Sequence, residues 1–236
     1  MRRQVVILAA GLGTRLGRPV PKPLTPLADG RTILQQQVDH IRAVLADPQI
    51  YVVVGFKHEM IMEAHPDLVF VYNESYDRTN TSKSLLRALR ASNDGGVVWM
   101  NGDVVFDPKA LERLLPRLDE DVSSVLVDRS ETADEEVKYR LDADGRINAL
   151  SKTVTEAVGE AVGINFISST AKAALVRRLE EVAAQDYFER GIELMIENDG
   201  EPVVPVDITD LYAVEVDDDD DLRSANAARA RAAQTL

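Results

Sequence analysis

The chain of 236 residues holds no cysteine, which excludes disulfides, a thiolate nucleophile and cysteine-bound metal. Its net charge of −13, from 27 basic and 40 acidic residues, argues against nucleic acid as a partner, because that partner wants a basic face. No stretch is long and apolar enough to span a membrane, and the chain enters a strand too soon to leave room for a signal peptide, so a cytoplasmic protein without a membrane partner is expected.

Val5 to Leu8 form an unbroken apolar run, which predicts a strand buried on both faces, as in a parallel sheet between helices. Ala9 and Ala10 are small, so a ligand can lie close to the strand end. In the loop that follows, Gly11, Gly13 and Gly17 let the backbone curl and turn its amides toward an anion. Arg15 and Lys22 add two positive charges. A strand end, an amide-lined loop and two cations suit a triphosphate. The glycines are spaced one residue too widely for G-x-G-x-x-G, and nothing matches a P-loop. A loop that only turned the chain would have no use for the spaced Arg and Lys.

Thr32 is placed to cap a helix carrying Ile33, Leu34, Val38, Ile41, Val44 and Leu45 on one face. Strands are predicted at Ile50–Phe56, at Val69–Tyr72 and at Val97–Asn101, the last running into Gly102-Asp103. A helix within Thr79–Ser92 turns Leu85, Leu86 and Leu89 inward, and Pro108–Leu118 reads as a helix with Pro near its start. This alternation is the pattern of a doubly wound, largely parallel sheet, whose ligands bind beyond the carboxyl ends of the strands. The glycine loop, Asn73 and Asp103 all fall at such ends.

The second half changes style. Ser123–Asp128 and Val162–Ile167 are strands, and Lys138–Leu141 with Arg146–Leu150 form a hairpin around Asp142-Ala-Asp-Gly145. Ala171–Ala184 and Phe188–Glu197 are amphipathic helices, Val203–Val206 and Leu211–Val216 short strands, and the tail is helical from Leu222. No linker is long enough to separate two domains. One domain over residues 1–236 is expected, with a nucleotide-binding half at about 1–120 and an acceptor-binding half at about 121–236 that includes the hairpin as a wall.

Attack on an α-phosphorus with loss of pyrophosphate gathers negative charge, so such a site needs cations and a metal more than a nucleophilic side chain. Magnesium takes oxygen ligands and keeps waters, so one or two carboxylates suffice. Asp103 is the best-placed carboxylate. Of the acidic runs, Asp119–Asp121 and Glu131–Glu136 read as solvated surface. In Asp217–Asp221 the first member is singled out, because it ends a strand whose alternation puts Ala213, Glu215 and Asp217 on one face. Asp218 is the runner-up, and Asp219, Asp220 and Asp221 are expected to cap or open the tail helix. His40, His58 and His65 match no triad or metal spacing and read as packing or surface residues.

The stretch from Leu8 to Gly17, LAAGLGTRLG, followed by Pro21-Lys22-Pro23-Leu24, closely resembles the signature of the nucleotidylyltransferases. Within that family the chain resembles the small CTP-dependent cytidylyltransferases for phosphocholine, inositol phosphate or phosphonate acceptors. The resemblance covers most of the chain and continues through Tyr72-Asn73, the segment Thr79 to Leu85, Gly102-Asp103, Ile147 to Lys152, Gly159 to Gly163 and Glu215-Val-Asp217. It implies a Rossmann-like mixed, mostly parallel sheet flanked by helices, with a β-hairpin on the acceptor side. It also implies magnesium-dependent transfer of CMP from CTP to a small phosphate or phosphonate.

The implied roles fall on particular residues. Leu8, Ala9, Ala10, Gly11, Gly13, Thr14 and Gly102 would surround the nucleotide, and Asn80 and Ser84 would face its base. Arg15 would hold the β and γ phosphates and Lys22 the α-phosphate. Asp103 and Asp217 would hold magnesium. Lys152 would meet the acceptor phosphate, with Lys138 and Glu160 nearby. The chain departs from the choline-using pattern in its 5% aromatic content and in Lys83, where that branch is often aromatic or apolar. Two alternatives stay open: a sugar-1-phosphate nucleotidylyltransferase using UTP, dTTP or GTP, and a non-catalytic nucleotide-binding regulatory domain. Whether the chain forms a homo-oligomer is open as well.

Overall fold

A computed structural model describes residues 2–13, 16–130 and 136–234. In chain order, β1 (Gln4–Ala9) leads through the glycine loop and one 3-10 turn at Lys22–Leu24 to α1 (Ile33–Val44), β2 (Gln49–Val54), α2 (His58–Ala64), β3 (Val69–Tyr72), α3 (Thr81–Ala91), β4 (Val97–Asn101), β5 (Val104–Phe106) and α4 (Lys109–Glu120). The second half supplies β6 (Ser124–Asp128), β7 (Lys138–Leu141), β8 (Ile147–Ser151), β9 (Gly159–Ile167), α5 (Lys172–Glu181), α6 (Phe188–Asp199), β10 (Val204–Asp207), β11 (Ala213–Glu215) and α7 (Asp219–Ala233).

The main sheet runs β10-β6-β9-β4-β1-β2-β3, with the β7–β8 hairpin attached through β9. β1 is buried along its whole length and pairs in parallel with β2 and β4. Its odd residues Val5 and Ile7 pack with Leu34, Val38 and Ile41 of α1. Its even residues Val6 and Leu8 pack with Leu85 and Leu89 of α3, Trp99 of β4 and Phe188 of α6. The alternation of a strand thus fills two cores with one apolar run. β9 runs antiparallel to both β4 and β6, so the sheet is mixed and parallel in its first half. The strand order reverses between β1 and β4, which opens a crevice at their carboxyl ends.

Thr32 caps α1 by accepting from the Gln35 amide at 3.1 Å, and the hairpin turns at Gly145, whose φ is 77°. Two elements and several boundaries differ from the sequence reading. α2 was not expected, because only Ile61 of its seven residues is buried and no apolar stripe marks it. β5 is three residues long, too short for any period to show, although all three are fully buried. The strand expected over Leu211–Val216 narrows to Ala213–Glu215, and the tail helix begins at Asp219 instead of Leu222. β11 and β5 make a separate antiparallel ribbon beside the main sheet. Among the described residues no helix is long and apolar enough to cross a membrane.

Candidate active site

The carboxyl ends of β1 and β4 open into a cavity of about 360 Å³. Leu8, Ala9, Gly11 and Gly13 line one side and Gly102 with Asp103 another. The turn at Gly102 lies directly on the end of β1. Its amide donates to the Leu8 carbonyl at 2.9 Å, and a Cβ at this position would sit 2.6 Å from that oxygen. From behind, the buried Gln37 of α1 donates to the carbonyls of Asn101 and Val104 at 2.9 and 2.8 Å. The turn that carries Asp103 is therefore held on two sides.

The ribbon brings the second carboxylate. The Val216 amide donates to the Asp103 carbonyl at 3.0 Å, which sets Asp217 beside Asp103. The Lys22 ammonium stands between them, 2.7 Å from Asp103 Oδ2 and 2.5 Å from Asp217 Oδ1. Burial pulls the Lys22 pKa down, but the two carboxylates outweigh it and hold the ammonium charged more firmly than usual. Asp103 Oδ1 is buried and has no hydrogen-bond partner. Two carboxylates on neighbouring strands, one with an orphaned oxygen, fit a hard divalent cation that completes its shell with phosphate oxygens and water. Among the described residues no set of three or more His, Asp or Glu side chains forms a closed metal cage.

Glu215 also lines the cavity and accepts from Asn101 Nδ2 at 2.8 Å. Gly163, at φ 72°, leaves the space for that pair, since a Cβ there would lie 2.8 Å from Glu215 Oε1. Burial first, and then the charge of Asp103, pushes the Glu215 pKa up to about 8.

The far wall is formed by Lys152, Tyr187 and Glu189, with Glu136 and Val137 alongside. The Lys152 ammonium is 5.4 Å from the centre of the Tyr187 ring. Glu189, in the first turn of α6, is only 7% exposed, and its Oε2 has no hydrogen-bond partner. Burial pushes its pKa up to about 7, against the pull of its own amide and of Lys152.

The cavity therefore gathers Leu8, Ala9, Gly11, Gly13, Lys22, Asn80, Gly102, Asp103, Lys152 and Asp217 of the expected residues. Asn80 has a second task as the cap of α3, accepting from the Thr81 amide at 2.8 Å. Ser84 is not on the wall. It is turned inward and accepts from Asn73 Nδ2 at 3.0 Å, because its place on α3 faces β3 and not the cavity. Ala10 is buried behind the strand end, where its carbonyl takes the Phe56 amide. Lys138 and Glu160 are opposite each other across β7 and β9, and neither lines the cavity. Thr14 and Arg15 lie outside the described residues. Lys83 points away from the cavity and caps the end of α5, donating to the carbonyls of Leu179 and Val182 at 2.7 and 2.6 Å.

Glu189, Glu215 as a wall residue, and Gln37 were not anticipated. A signal existed for Glu189. It precedes Ile192 by three residues and so falls on the buried stripe of α6 with Phe188 and Met195, where a charge needs a reason.

Several known proteins are similar to the chain as a whole. CMP-5'-(3-aminopropyl)phosphonate synthase of Streptomyces rubellomurinus is 32% identical over 94% of this chain and 38% of its own length. The bifunctional protein GlmU of Pseudomonas putida is 30% identical over 85% of this chain and 45% of its own length. The chain thus spans less than half the length of these relatives. Among solved structures, CTP:phosphocholine cytidylyltransferase from Streptococcus pneumoniae superposes with a TM-score of 0.76 at 19% identity, covering 96% of this chain and 99% of that one. Inositol-1-phosphate CTP transferase from T. maritima superposes at 0.77 with 16% identity, covering 96% of each chain. These likenesses confirm the expected nucleotidyltransferase-like fold. A profile described as MobA-like NTP transferase domain matches residues 5–198, from the first strand through Glu189 but short of Asp217. By that match the chain belongs to the MobA-like NTP transferase domain family of nucleotidyltransferases.

Proposed function

We propose that the protein transfers a cytidylyl group from CTP to a small acceptor bearing a phosphate or phosphonate. An acceptor oxygen attacks the α-phosphorus, the bond to the bridging oxygen breaks, and pyrophosphate leaves with the electron pair. The observation that carries this reading is the meeting of Lys22, Asp103 and Asp217 beside the glycine loop, at the switch point of the sheet. Lys22 supplies a point charge where the α-phosphate gains charge. Asp103 and Asp217 would hold magnesium, which when bound neutralises phosphate charge and orients the α-phosphate. Gly11 and Gly13 offer amides to the nucleotide, Asn80 faces the base, and Lys152 receives the acceptor's phosphate or phosphonate. The 32% identity over 94% of this chain with a CMP-phosphonate synthase favours CTP.

The acceptor's other end meets Glu189 and Tyr187. A buried carboxylate with an unpartnered oxygen beside an aromatic ring favours an acceptor with an ammonium group. A sugar-1-phosphate acceptor with another nucleotide is the second reading, since a putative glucose-1-phosphate thymidylyltransferase from Bacillus anthracis shares the fold at a TM-score of 0.75. Pyrophosphate release with CTP, UTP, dTTP and GTP, each against aminoalkylphosphonates, polyol phosphates and sugar 1-phosphates, separates the two. Highest kcat/KM for CTP with an aminoalkylphosphonate is expected, and a preference for UTP, dTTP or GTP with a sugar 1-phosphate overturns the reading.

A further inference from the structure

The ammonium of Lys22 is bonded to one oxygen of each carboxylate that the proposed function assigns to the metal. A cation that bridged Asp103 Oδ2 and Asp217 Oδ1 would have to take the place Lys22 already fills, with the orphaned Asp103 Oδ1 free to add to its shell. A divalent ion and an ammonium cannot share the same two oxygens at contact distance, because their like charges repel at short range in a site largely screened from water. Lys22 is also placed to leave. It begins the 3-10 turn that follows the glycine loop, and its Cβ packs against Gly13, 3.1 Å from where a Cβ on that glycine would be. The stem is therefore rooted in the loop expected to hold phosphates while the charged end reaches the ribbon. A flexible four-carbon stem covers both places without backbone movement.

We propose that Lys22 has two stations. At rest its ammonium occupies the divalent-cation position between Asp103 and Asp217, and arrival of cation and nucleotide together moves it onto the phosphates. The inference rests on the reading of these two aspartates as the metal pair. The charges account for the exchange. Two carboxylates and one ammonium leave the resting pair with one excess negative charge. A divalent cation balances the pair fully and frees the ammonium, and the triphosphate supplies the new partner. It follows that Lys22 opposes cation binding in the empty enzyme and ceases to do so once nucleotide is bound. Cation and nucleotide then bind with positive coupling, without any second site.

The test uses Mn²⁺ as a spectroscopic probe, titrated by electron paramagnetic resonance into the folded protein with and without a non-hydrolysable CTP analogue. Lys22→Met is expected to bind Mn²⁺ ~10-fold more tightly than the parent in the absence of nucleotide, and to lose most of the coupling between Mn²⁺ and the analogue. Lys152→Met removes a cavity cation that touches neither aspartate, and is expected to leave Mn²⁺ binding unchanged. Lys22→Arg keeps a cation at the place and is expected to show no tightening, which guards against a folding artefact in the methionine variant. Equal or weaker Mn²⁺ binding by Lys22→Met overturns the two-station proposal, as does equal tightening by Lys152→Met. Unchanged Mn²⁺ binding by Asp217→Asn is a separate failure, since it removes the metal-pair reading beneath the proposal.

Discussion

The backbone amide of Asp217 donates to the side chain of Asp221 at 2.9 Å. The Asp218 amide donates to the same oxygen at 3.1 Å, and the Asp218 carboxylate accepts in return from the amides of Asp220 and Asp221. Five consecutive aspartates thus divide their work. Asp217 faces Lys22 and the cavity, Asp218 caps α7, and Asp221 closes a capping box that also fixes the backbone of Asp217. Asp219, Asp220 and Asp221 open α7 as expected, while the cap itself is Asp218. Asp217→Asn and Asp103→Asn are expected to abolish metal-dependent pyrophosphate release in folded protein. Asp220→Asn should be near normal. Asp219→Asn should be too, since its ion pair with Arg18 is exposed. Asp221→Ala should lower stability by ~1 kcal/mol in chemical denaturation and turnover by ~10-fold through the displaced neighbour. Full turnover in Asp221→Ala would remove its positioning role.

Lys22→Met is expected to lower kcat by ~100-fold while the CTP dissociation constant changes much less, because the charge acts most where the α-phosphate gains charge. Steady-state kinetics paired with equilibrium nucleotide binding reads the difference. A variant with near-normal kcat would leave Lys22 without its assigned role.

Glu189, which the proposed function sets against the acceptor's ammonium, also bears on stability. Its pKa rises from 4.5 to about 7 on folding, so the folded chain holds the proton longer than the unfolded one. Below pH 4.5 the group is neutral in both states and contributes nothing. The penalty grows as pH rises to about 7 and is complete above it. Glu189→Gln should therefore stabilise the protein at pH 8, by up to ~3 kcal/mol, and do nothing at pH 4. With an aminoalkylphosphonate, the same variant should raise KM at least ~10-fold, while an acceptor lacking the amine is unaffected. In the parent, kcat/KM for the amine acceptor should fall as pH drops through about 7, with Lys152 and Glu193 the charged groups acting on Glu189. Thermal melts across pH and acceptor kinetics check the two halves separately.

Asn80 both caps α3 and lines the cavity. Asp is as good a cap as Asn but offers no amide donor. Asn80→Asp should keep the melting temperature within a degree or two and raise the KM for CTP by ~10-fold. A drop in melting temperature with unchanged KM would make Asn80 a cap alone.

What could be read beforehand followed from strong local chemistry. The apolar run of β1, the glycines after it, and Asp103 behind Val97–Asn101 each stand at a sheet end that topology alone makes a binding place. Counting faces along a strand sets Asp217 with Glu215, and both line the cavity although the strand is shorter than expected. The residues that escaped notice act through contacts with no local period. Gln37 sits within α1 as an ordinary helix residue until its amide is seen to clamp the Asp103 turn. Ser84 has the right neighbourhood in sequence but the wrong helical face, a rotation that Leu85 and Leu89 decide by packing inward. Lys83 departs from its branch because α5 ends beside it with open carbonyls.

Among the described residues β11 pairs with β5 and with no other strand, and the last strand of the main sheet ends at Asp207. Lys22 and Asp217 are 195 residues apart in the chain. A nascent chain leaving the ribosome can thus complete every strand of its main sheet while its second carboxylate is still unmade. A chain ending after β10 would have every strand of the main sheet but would lack the partner strand of β5, the apolar cover that Val216 and Ala225 give Ile33 and Val105, and the carboxylate that meets Lys22.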